Sequence, residues 1–343
     1  MTAPAADDGA AAVADVVARY RPAVERGLRE AVDAAPPGFG ALVREHFGWD
    51  DDAAASSGKL LRPVMCLLVA EALGGDAEPA PPAAVAVELV HNFSLIHDDI
   101  EDQSDTRHGR PTLWRTAGLP LALNAGDGLF ALARRTLLNL ALPPERVLLA
   151  VRLLDDACIA LCEGQHLDLT FEARRSITLA EYEAMVAGKT AALLGAAMAL
   201  GALAAGADAA AVEAMHACGR ELGMAFQVQD DVLGIWGEAA DTGKPVADDI
   251  RARKKSFPVV WAREHASPDA AARLAALYAT PPDDAAVADI LAILERAGAR
   301  DAAATAARAW ADRAFARLAG VRLVAQREAE LRKIASYFVT RRS

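Results

Sequence analysis

A basic surplus is missing from this 343-residue chain: 36 Lys and Arg face 47 Asp and Glu, a formal charge of −11 with histidine neutral. That balance excludes a basic face for nucleic acid and a polybasic patch for anionic lipid. It leaves anionic substrates open, because bound cations invert the local charge. Cysteine is scarce as well. Cys66, Cys158, Cys162 and Cys218 form no CxxC pair, so neither a disulfide framework nor a structural zinc site is expected; the reading is buried thiols in a reducing cytoplasm. Aromatic residues are only 5%, and no run of alternating β-branched residues announces a sheet. A long apolar run is also absent. The stretch from Ala191 to Ala207 is uncharged for 17 residues, but it is mostly Ala and Gly, which suits a tightly packed core helix better than a membrane span. The N-terminus carries Asp7 and Asp8 and no basic region, which argues against a secretory leader. Its first ten or so residues are small and polar and are expected to be irregular.

What the chain has in abundance is alanine and helical periodicity. Apolar residues make up 53% of it. Double prolines at Pro36-Pro37, Pro81-Pro82, Pro143-Pro144 and Pro281-Pro282 each precede a helical pattern, as expected where proline opens a helix. No long linker and no fixed-period repeat interrupts this. The expectation is one all-α domain over residues 1–343, a bundle of about ten or more helices.

The most informative segment runs His91-Asn-Phe-Ser-Leu-Ile-His-Asp-Asp-Ile-Glu-Asp102. Leu89, Phe93, Ile96 and Ile100 form an apolar helical stripe. Asp98 and Asp102 lie one turn apart on one face, with Asp99 and Glu101 beside them. Like charges at that spacing repel, so the cluster wants cations, and hard oxygen donors suit Mg²⁺ better than zinc. A second acidic pair lies far away in Phe226-Gln-Val-Gln-Asp-Asp-Val-Leu-Gly234, where Gln227, Asp230, Asp231 and Gly234 share one helical face. Two such helices suggest opposing walls of a cavity holding several Mg²⁺ ions. Because Mg²⁺ keeps few protein ligands and shares the rest with water and phosphate, the implied substrate is a diphosphate. Basic residues cluster nearby in sequence: Lys59 and Arg62; Arg107, His108 and Arg110; Lys189; Lys244; and Arg253, Lys254 and Lys255. The Gly-Lys-Thr at 188–190 lacks the glycine and the strand of a nucleotide phosphate loop.

With these motifs in order, the chain resembles the trans-isoprenyl diphosphate synthases, or polyprenyl synthetases, which include the farnesyl and geranylgeranyl diphosphate synthases. The resemblance runs from about Gly58 to Pro258. Asp98-Asp-Ile-Glu-Asp102 matches the family's first DDxxD motif, and Asp230-Asp-Val-Leu-Gly234 matches the second, with Gly234 in place of its last Asp. The resemblance implies an isoprenoid-synthase-type helical bundle around a central cavity. It implies three Mg²⁺ ions on Asp98, Asp99, Asp102, Asp230 and Asp231. Lys59, Arg62 and His91 would bind isopentenyl diphosphate. Arg107, Lys189, Lys244 and Lys255 would hold the allylic diphosphate, with Thr190 and Gln227 near the reacting carbons. Asp98, Asp99, Asp102, Asp230, Lys189 and Lys244 would carry the catalysis. Gln165 and Asp168 match the family's Gly-Gln-x-x-Asp. The family also implies a homodimer. One further departure is His108, where the family usually has a second arginine; a histidine grips diphosphate less firmly unless the site raises its pKa. Arg110 is the nearest substitute.

The implied reaction ionises an allylic diphosphate; the alkene of isopentenyl diphosphate attacks the cation, and the released diphosphate can take the proton. The protein's share is to neutralise developing negative charge and to keep the cavity dry. Chain length follows from position along the helix. Phe93 and Ser94 lie just upstream of Asp98, about one turn or 5.4 Å, the length of roughly one isoprene unit. By the family resemblance, one aromatic there and no insertion in the first motif imply a C20 product over C15, with Phe93 as part of the floor. A class I terpene cyclase and a non-catalytic partner subunit are the alternatives. Retention of Lys59, Arg62 and His91 opposes the first, and the intact aspartates oppose the second.

Overall fold

The computed structural model describes residues 6–49, 58–74, 80–238 and 246–341. They form an all-α bundle. Helix α1 (Ala6–Asp33), α2 (Pro37–Phe47), α3 (Leu61–Ala72) and α4 (Pro81–Glu101) lead to a two-residue hairpin and the short α5 (Leu113–Thr116). Then come α6 (Leu119–Leu137), α7 (Pro144–Glu172), α8 (Leu179–Val186), a π-helical turn (Ala187–Ala191), α9 (Ala192–Ala204) and the long α10 (Ala209–Trp236). The C-terminal part holds α11 (Asp248–Arg251), α12 (Phe257–His265), α13 (Pro268–Leu277), α14 (Asp284–Arg296), α15 (Ala299–Ala316) and α16 (Ala325–Thr340). Helix already begins at Ala6, earlier than the small polar composition of the N-terminus suggested.

The punctuation read from the sequence sets the helix starts. Pro37, Pro81 and Pro144 occupy first-turn positions, where the missing N–H costs nothing. Pro281-Pro282 leads into α14, capped by Asp283, whose carboxylate accepts the Ala286 N–H. Asp208 caps α10 in the same way, and Thr178 with Glu181 forms a reciprocal capping box on α8.

The main core lies between α1, α3, α4, α6, α9 and α10, with smaller clusters under α8 and α12–α15. Every residue of α9 is buried. The segment Leu179–Ala204 is long and apolar enough to cross a membrane by composition, but most of it is buried against neighbouring helices. The alanine-rich run is therefore a central packing helix, as its composition suggested. Small residues let helices close up around the site. At Gly164 of α7 a Cβ would stand 2.0 Å from the Lys189 backbone nitrogen, so this glycine lets the π turn press against α7. The π turn carries Lys189 and Thr190, and extra-residue bulges of this kind re-aim side chains out of helical register.

The one departure from all-helix among the described residues is the hairpin Thr106–Arg107 with Arg110–Pro111, in which Arg107 pairs with Arg110. Its turn is His108-Gly109, both with positive φ (51° and 75°). A tight two-residue hairpin needs two such residues, and His tolerates the left-handed region better than most.

Candidate active site

The acidic end of α4 and the C-terminal third of α10 face one region, joined by α7 and the π turn. At the first motif Asp98 is half-buried, Asp99 buried, and Glu101 and Asp102 exposed. Burial pushes the Asp98 carboxyl up to about 6, against the pull of the Lys189 ammonium; the Asp102 charge adds to the rise. Neither the Asp98 nor the Asp102 carboxylate accepts a hydrogen bond among the described residues. Asp99 differs. The Arg107 guanidinium donates to its Oδ1 through Nε at 2.9 Å and Nη2 at 2.7 Å. Gln165 of α7 donates to Glu101 Oε2 at 2.7 Å, and Lys189 to Asp168 Oδ2 at 2.6 Å. Burial works against the Lys189 charge, but Asp168 and Asp98 outweigh it and raise its pKa.

The second motif is wired otherwise. Asp231 is buried and accepts from Tyr182 Oη at 2.6 Å and the Phe257 N–H at 2.7 Å on Oδ2, and from Gln227 Nε2 at 3.0 Å on Oδ1. Thr190 in turn donates to Gln227 Oε1 at 2.8 Å. Burial still holds the Asp231 carboxyl up at about 7. Asp231 was expected among the metal ligands; its oxygens instead tie α8, α10 and the start of α12 together. Asp230 is half-exposed, and its Oδ1 pairs with Arg341 at 2.6 Å. That arginine is held by α16: its guanidinium is 4% exposed, it lies over the Phe226 ring at 4.0 Å, and its carbonyl accepts from Gln229. Sequence reasoning missed Arg341, which lies 111 residues from its partner.

Gly234 has a physical explanation. A Cβ there would meet Asp249 Oδ2 at 1.9 Å, so the Asp249 carboxylate of α11 occupies the space a side chain at 234 would need. Lys254 Nζ sits 3.4 Å from Asp249. Burial opposes its charge, but Asp249 and then Asp231 push it up to about 12. Lys255, the residue expected to reach the diphosphate, donates to the Glu172 carbonyl at the end of α7. The basic residue aimed at the acidic side is thus Lys254, one position earlier. Lys244 lies outside the described residues.

A cationic recess flanks the first motif. Arg62 Nη1 is 3.3 Å from His91 Nε2, and Arg107 stands between them and Asp99. Burial, then Arg62, Arg107, His46 and His108, lowers the His91 pKa well below the ordinary value. Burial, Arg107 and Lys59 lower that of His108 too. Burial and the neighbouring cations therefore disfavour the charged form of His108. Arg110 does not replace it, since its guanidinium donates to the Glu45 and His46 carbonyls at 2.6 and 3.2 Å. Glu88 lies beneath the recess, pushed up to about 7 by burial against the pull of Arg62. Along α4 below Asp98, Ser94 is buried with its hydroxyl on the His91 carbonyl, and Phe93 is buried with its ring 5.3 Å from that of Phe130.

The donor chemistry fits hard divalent cations. Asp98 and Asp102 stack one turn apart without partners at the negative end of the α4 dipole, and Asp98 is raised by burial that a cation would offset. As arranged, no three acidic, His or Cys groups among the described residues converge tightly enough to close on an ion by themselves. Mg²⁺ with few protein ligands and shared phosphate oxygens does not need such a cage.

Comparison with known proteins settles the family. The polyprenyl synthetase family model matches residues 51–295. The chain belongs to the polyprenyl synthetase family. A (2E,6E)-farnesyl diphosphate synthase of Mycobacterium tuberculosis is 41% identical over 92% of this chain and 90% of that protein. A geranylgeranyl diphosphate synthase of the same organism is 45% identical over 74% of this chain and 73% of its own length. The crystal structure of a polyprenyl synthetase from Streptomyces coelicolor superposes with a TM-score of 0.89 at 35% identity, covering 95% of this chain and 99% of the other. Membership makes this polyprenyl synthetase a transferase of the short-chain trans-prenyl type. The relatives divide between the two product names and leave C15 against C20 open.

Proposed function

We propose that this chain condenses isopentenyl diphosphate head-to-tail with an allylic diphosphate, releasing diphosphate and ending at the C20 all-trans prenyl diphosphate. The observation that carries this is the pair of oppositely charged recesses at the end of α4. One is the unpartnered Asp98 and Asp102, which want cations. The other is the group of Lys59, Arg62, His91, Arg107 and His108, in which burial and then mutual repulsion lower both histidine pKa values, so that the group wants an anion. A terpene cyclase ionises one diphosphate and has no use for the second recess.

Asp98, Asp102 and Asp230 are the carboxylates we assign to hold Mg²⁺, three ions on the family pattern. When bound, Mg²⁺ supplies Lewis-acid neutralisation of the leaving diphosphate. Lys189, Lys254 and Lys244 would add cationic contacts to that diphosphate. Asp99 positions Arg107, and Asp231 positions Gln227 and, through it, Thr190. Lys59, Arg62, His91 and Arg107 seat the second diphosphate, and His108 gains a proton as that anion arrives. The buried faces of α4, α7 and α9 keep water from the allylic cation. Phe93 and Ser94 line the tail's path.

We also assign a homodimer and a cytoplasmic location. Leu148 and Ile159 of α7 are 68% and 70% exposed, and Leu119 and Leu123 of α6 are exposed as well, which supports an apolar face covered by a second copy. The test of the activity is a product assay with Mg²⁺, isopentenyl diphosphate and C5, C10 or C15 allylic diphosphates. Isopentenyl-dependent linear products support it. Loss of allylic diphosphate to hydrocarbon or alcohol without isopentenyl diphosphate overturns it in favour of a cyclase.

A further inference from the structure

A buried polar cluster with no part in the condensation chemistry lies under the cationic recess. Glu88 and Asn92 of α4 are 5% and 6% exposed, and Glu88 sits one turn before His91 on the same helical face. The Asn92 amide donates from Nδ2 to Glu88 Oε1 at 2.9 Å and to the Glu88 carbonyl at 2.8 Å. With both N–H groups on oxygens, Asn92 presents Oδ1 to His46 Nε2 of α2 at 3.0 Å, so that ring nitrogen carries the hydrogen. Burial lowers the His46 pKa to about 4 against this bond, and the ring is neutral. The other carboxyl oxygen, Glu88 Oε2, is buried without a hydrogen-bond partner among the described residues, and so is Nε of Arg62 on α3. The two side chains act on each other. Burial disfavours the Arg62 charge, and Glu88 is the carboxyl that offsets it. An acceptor without a donor and a donor without an acceptor thus belong to one interacting pair, and each is unfavourable as it stands. Burial also works against the Glu88 charge, so stability does not explain why a carboxyl is there.

We propose that Glu88 is a positioning residue for the second diphosphate, braced by Asn92 and His46 so that its free oxygen takes Arg62 Nε while the outer N–H groups of that guanidinium grip the phosphate oxygens. This rests on the prenyltransferase reading and deepens it. A guanidinium carries its N–H donors in a rigid planar fork. With Nε held from behind, the outer donors meet two anionic oxygens in parallel. A side chain fixed beforehand also loses less rotamer freedom when the ligand arrives. The recess stays net cationic, because Glu88 is drawn on by two guanidiniums, Arg62 and Arg21 of α1. Glu88 itself does not touch the substrate. Its contribution is to affinity for isopentenyl diphosphate, and the ionisation at Asp98 and Lys189 does not depend on it.

The test measures the KM for isopentenyl diphosphate, with Mg²⁺ and the C15 allylic diphosphate, in wild type, Glu88→Gln, Asn92→Ser, Arg62→Lys and the double variant of Glu88→Gln with Arg62→Lys. Glutamine keeps the shape and the bond from Asn92, but turns an amide N–H toward Arg62 Nε. Glu88→Gln is expected to raise that KM about tenfold, with kcat and the allylic KM within about twofold of wild type and the melting temperature kept or raised. On top of Arg62→Lys the same change is expected to add less than about twofold, since the brace then has no Nε to hold. Asn92→Ser loosens the brace and is expected to show the same selective rise, about threefold, which keeps the test alive if Glu88→Gln does not fold. A fall in kcat and melting temperature with both KM values raised alike marks a merely structural carboxyl and overturns the brace. An isopentenyl KM unchanged in Glu88→Gln, or a rise that persists in full beside Arg62→Lys, overturns the brace alone. A wild type that makes no isopentenyl-dependent product overturns the prenyltransferase reading and the brace together.

Discussion

The two acidic motifs share the letters Asp-Asp and a place on an apolar helix, yet the fold treats them differently. At the end of α4 the outer carboxylates, Asp98 and Asp102, are left without partners, and Asp99 is committed to Arg107. On α10 it is Asp231 that is committed, to Tyr182, Gln227 and the Phe257 N–H, while Asp230 is held by the C-terminal Arg341. In each motif the second aspartate of the pair is thus the one most tied into the fold's own hydrogen bonds. A carboxylate whose lone pairs already accept two or three hydrogen bonds has little to offer an ion. The lesson is that the same Asp-Asp letters meet different partners in each motif, and only the fold tells them apart.

This contrast is sharpest under substitution. Asp98→Asn is expected to lower turnover by roughly 10³-fold, the scale for losing a group that stabilises transition-state charge, with melting temperature kept or raised, since burial disfavours the charged carboxyl; steady-state kinetics beside calorimetry checks it. Asp231→Asn is expected to do the reverse in kind. It disturbs a buried acceptor of three hydrogen bonds, so stability falls first. Tyr182→Phe, which removes one of those donors, should cost about 1–3 kcal/mol in denaturant unfolding. Equal loss of stability in the Asp98 and Asp231 variants would erase the distinction.

Gly234→Asp restores the family's letter but collides with the Asp249 carboxylate. It is expected to destabilise by about 1–3 kcal/mol, the usual scale for overpacking, without improving Mg²⁺ affinity by titration calorimetry. A gain in affinity would show that Asp249 does not fill the missing place.

A smaller effect concerns pH. Burial raises the Glu88 carboxyl to about 7. A raised folded pKa means that its stabilising contribution is complete below the unfolded carboxylate range and is lost as pH rises through 7. Asp231, also near 7, acts in the same direction. The stability of wild type relative to Glu88→Gln should therefore fall between about pH 4.5 and about pH 7 and level off above it, as read by melting temperature across that window. The smallest change is expected from Arg341→Ala. Asp230 is half-exposed, so freeing it should raise apparent Mg²⁺ affinity only about fivefold, the scale of a partly screened ion pair.

The helical class and the family were legible because they rest on local signals: alanine content, proline at helix starts, and two acidic pairs in helical phase. What stayed hidden depends on groups brought together from afar. Asp231 could be told from Asp230 only once Tyr182 and the Phe257 backbone were beside it. Arg341 carries no signal in its own segment, since its function is set by where α16 ends. Lys255 was favoured over Lys254 because neighbouring lysines look alike in sequence; the positive φ of Arg253, 54°, breaks helical phase there and turns Lys254 toward Asp249. Gly234 reads as a loss in sequence and as room for Asp249 in space. The hairpin at His108-Gly109 is too short for a strand pattern to reveal.

The central claim is that two recesses at one helix end seat two diphosphates for a head-to-tail condensation. Mass analysis of the products from purified protein, Mg²⁺, isopentenyl diphosphate and the C15 allylic diphosphate tests it most directly. The account predicts a linear C20 diphosphate whose formation requires isopentenyl diphosphate. Hydrocarbon or alcohol formed from the allylic substrate alone would contradict it.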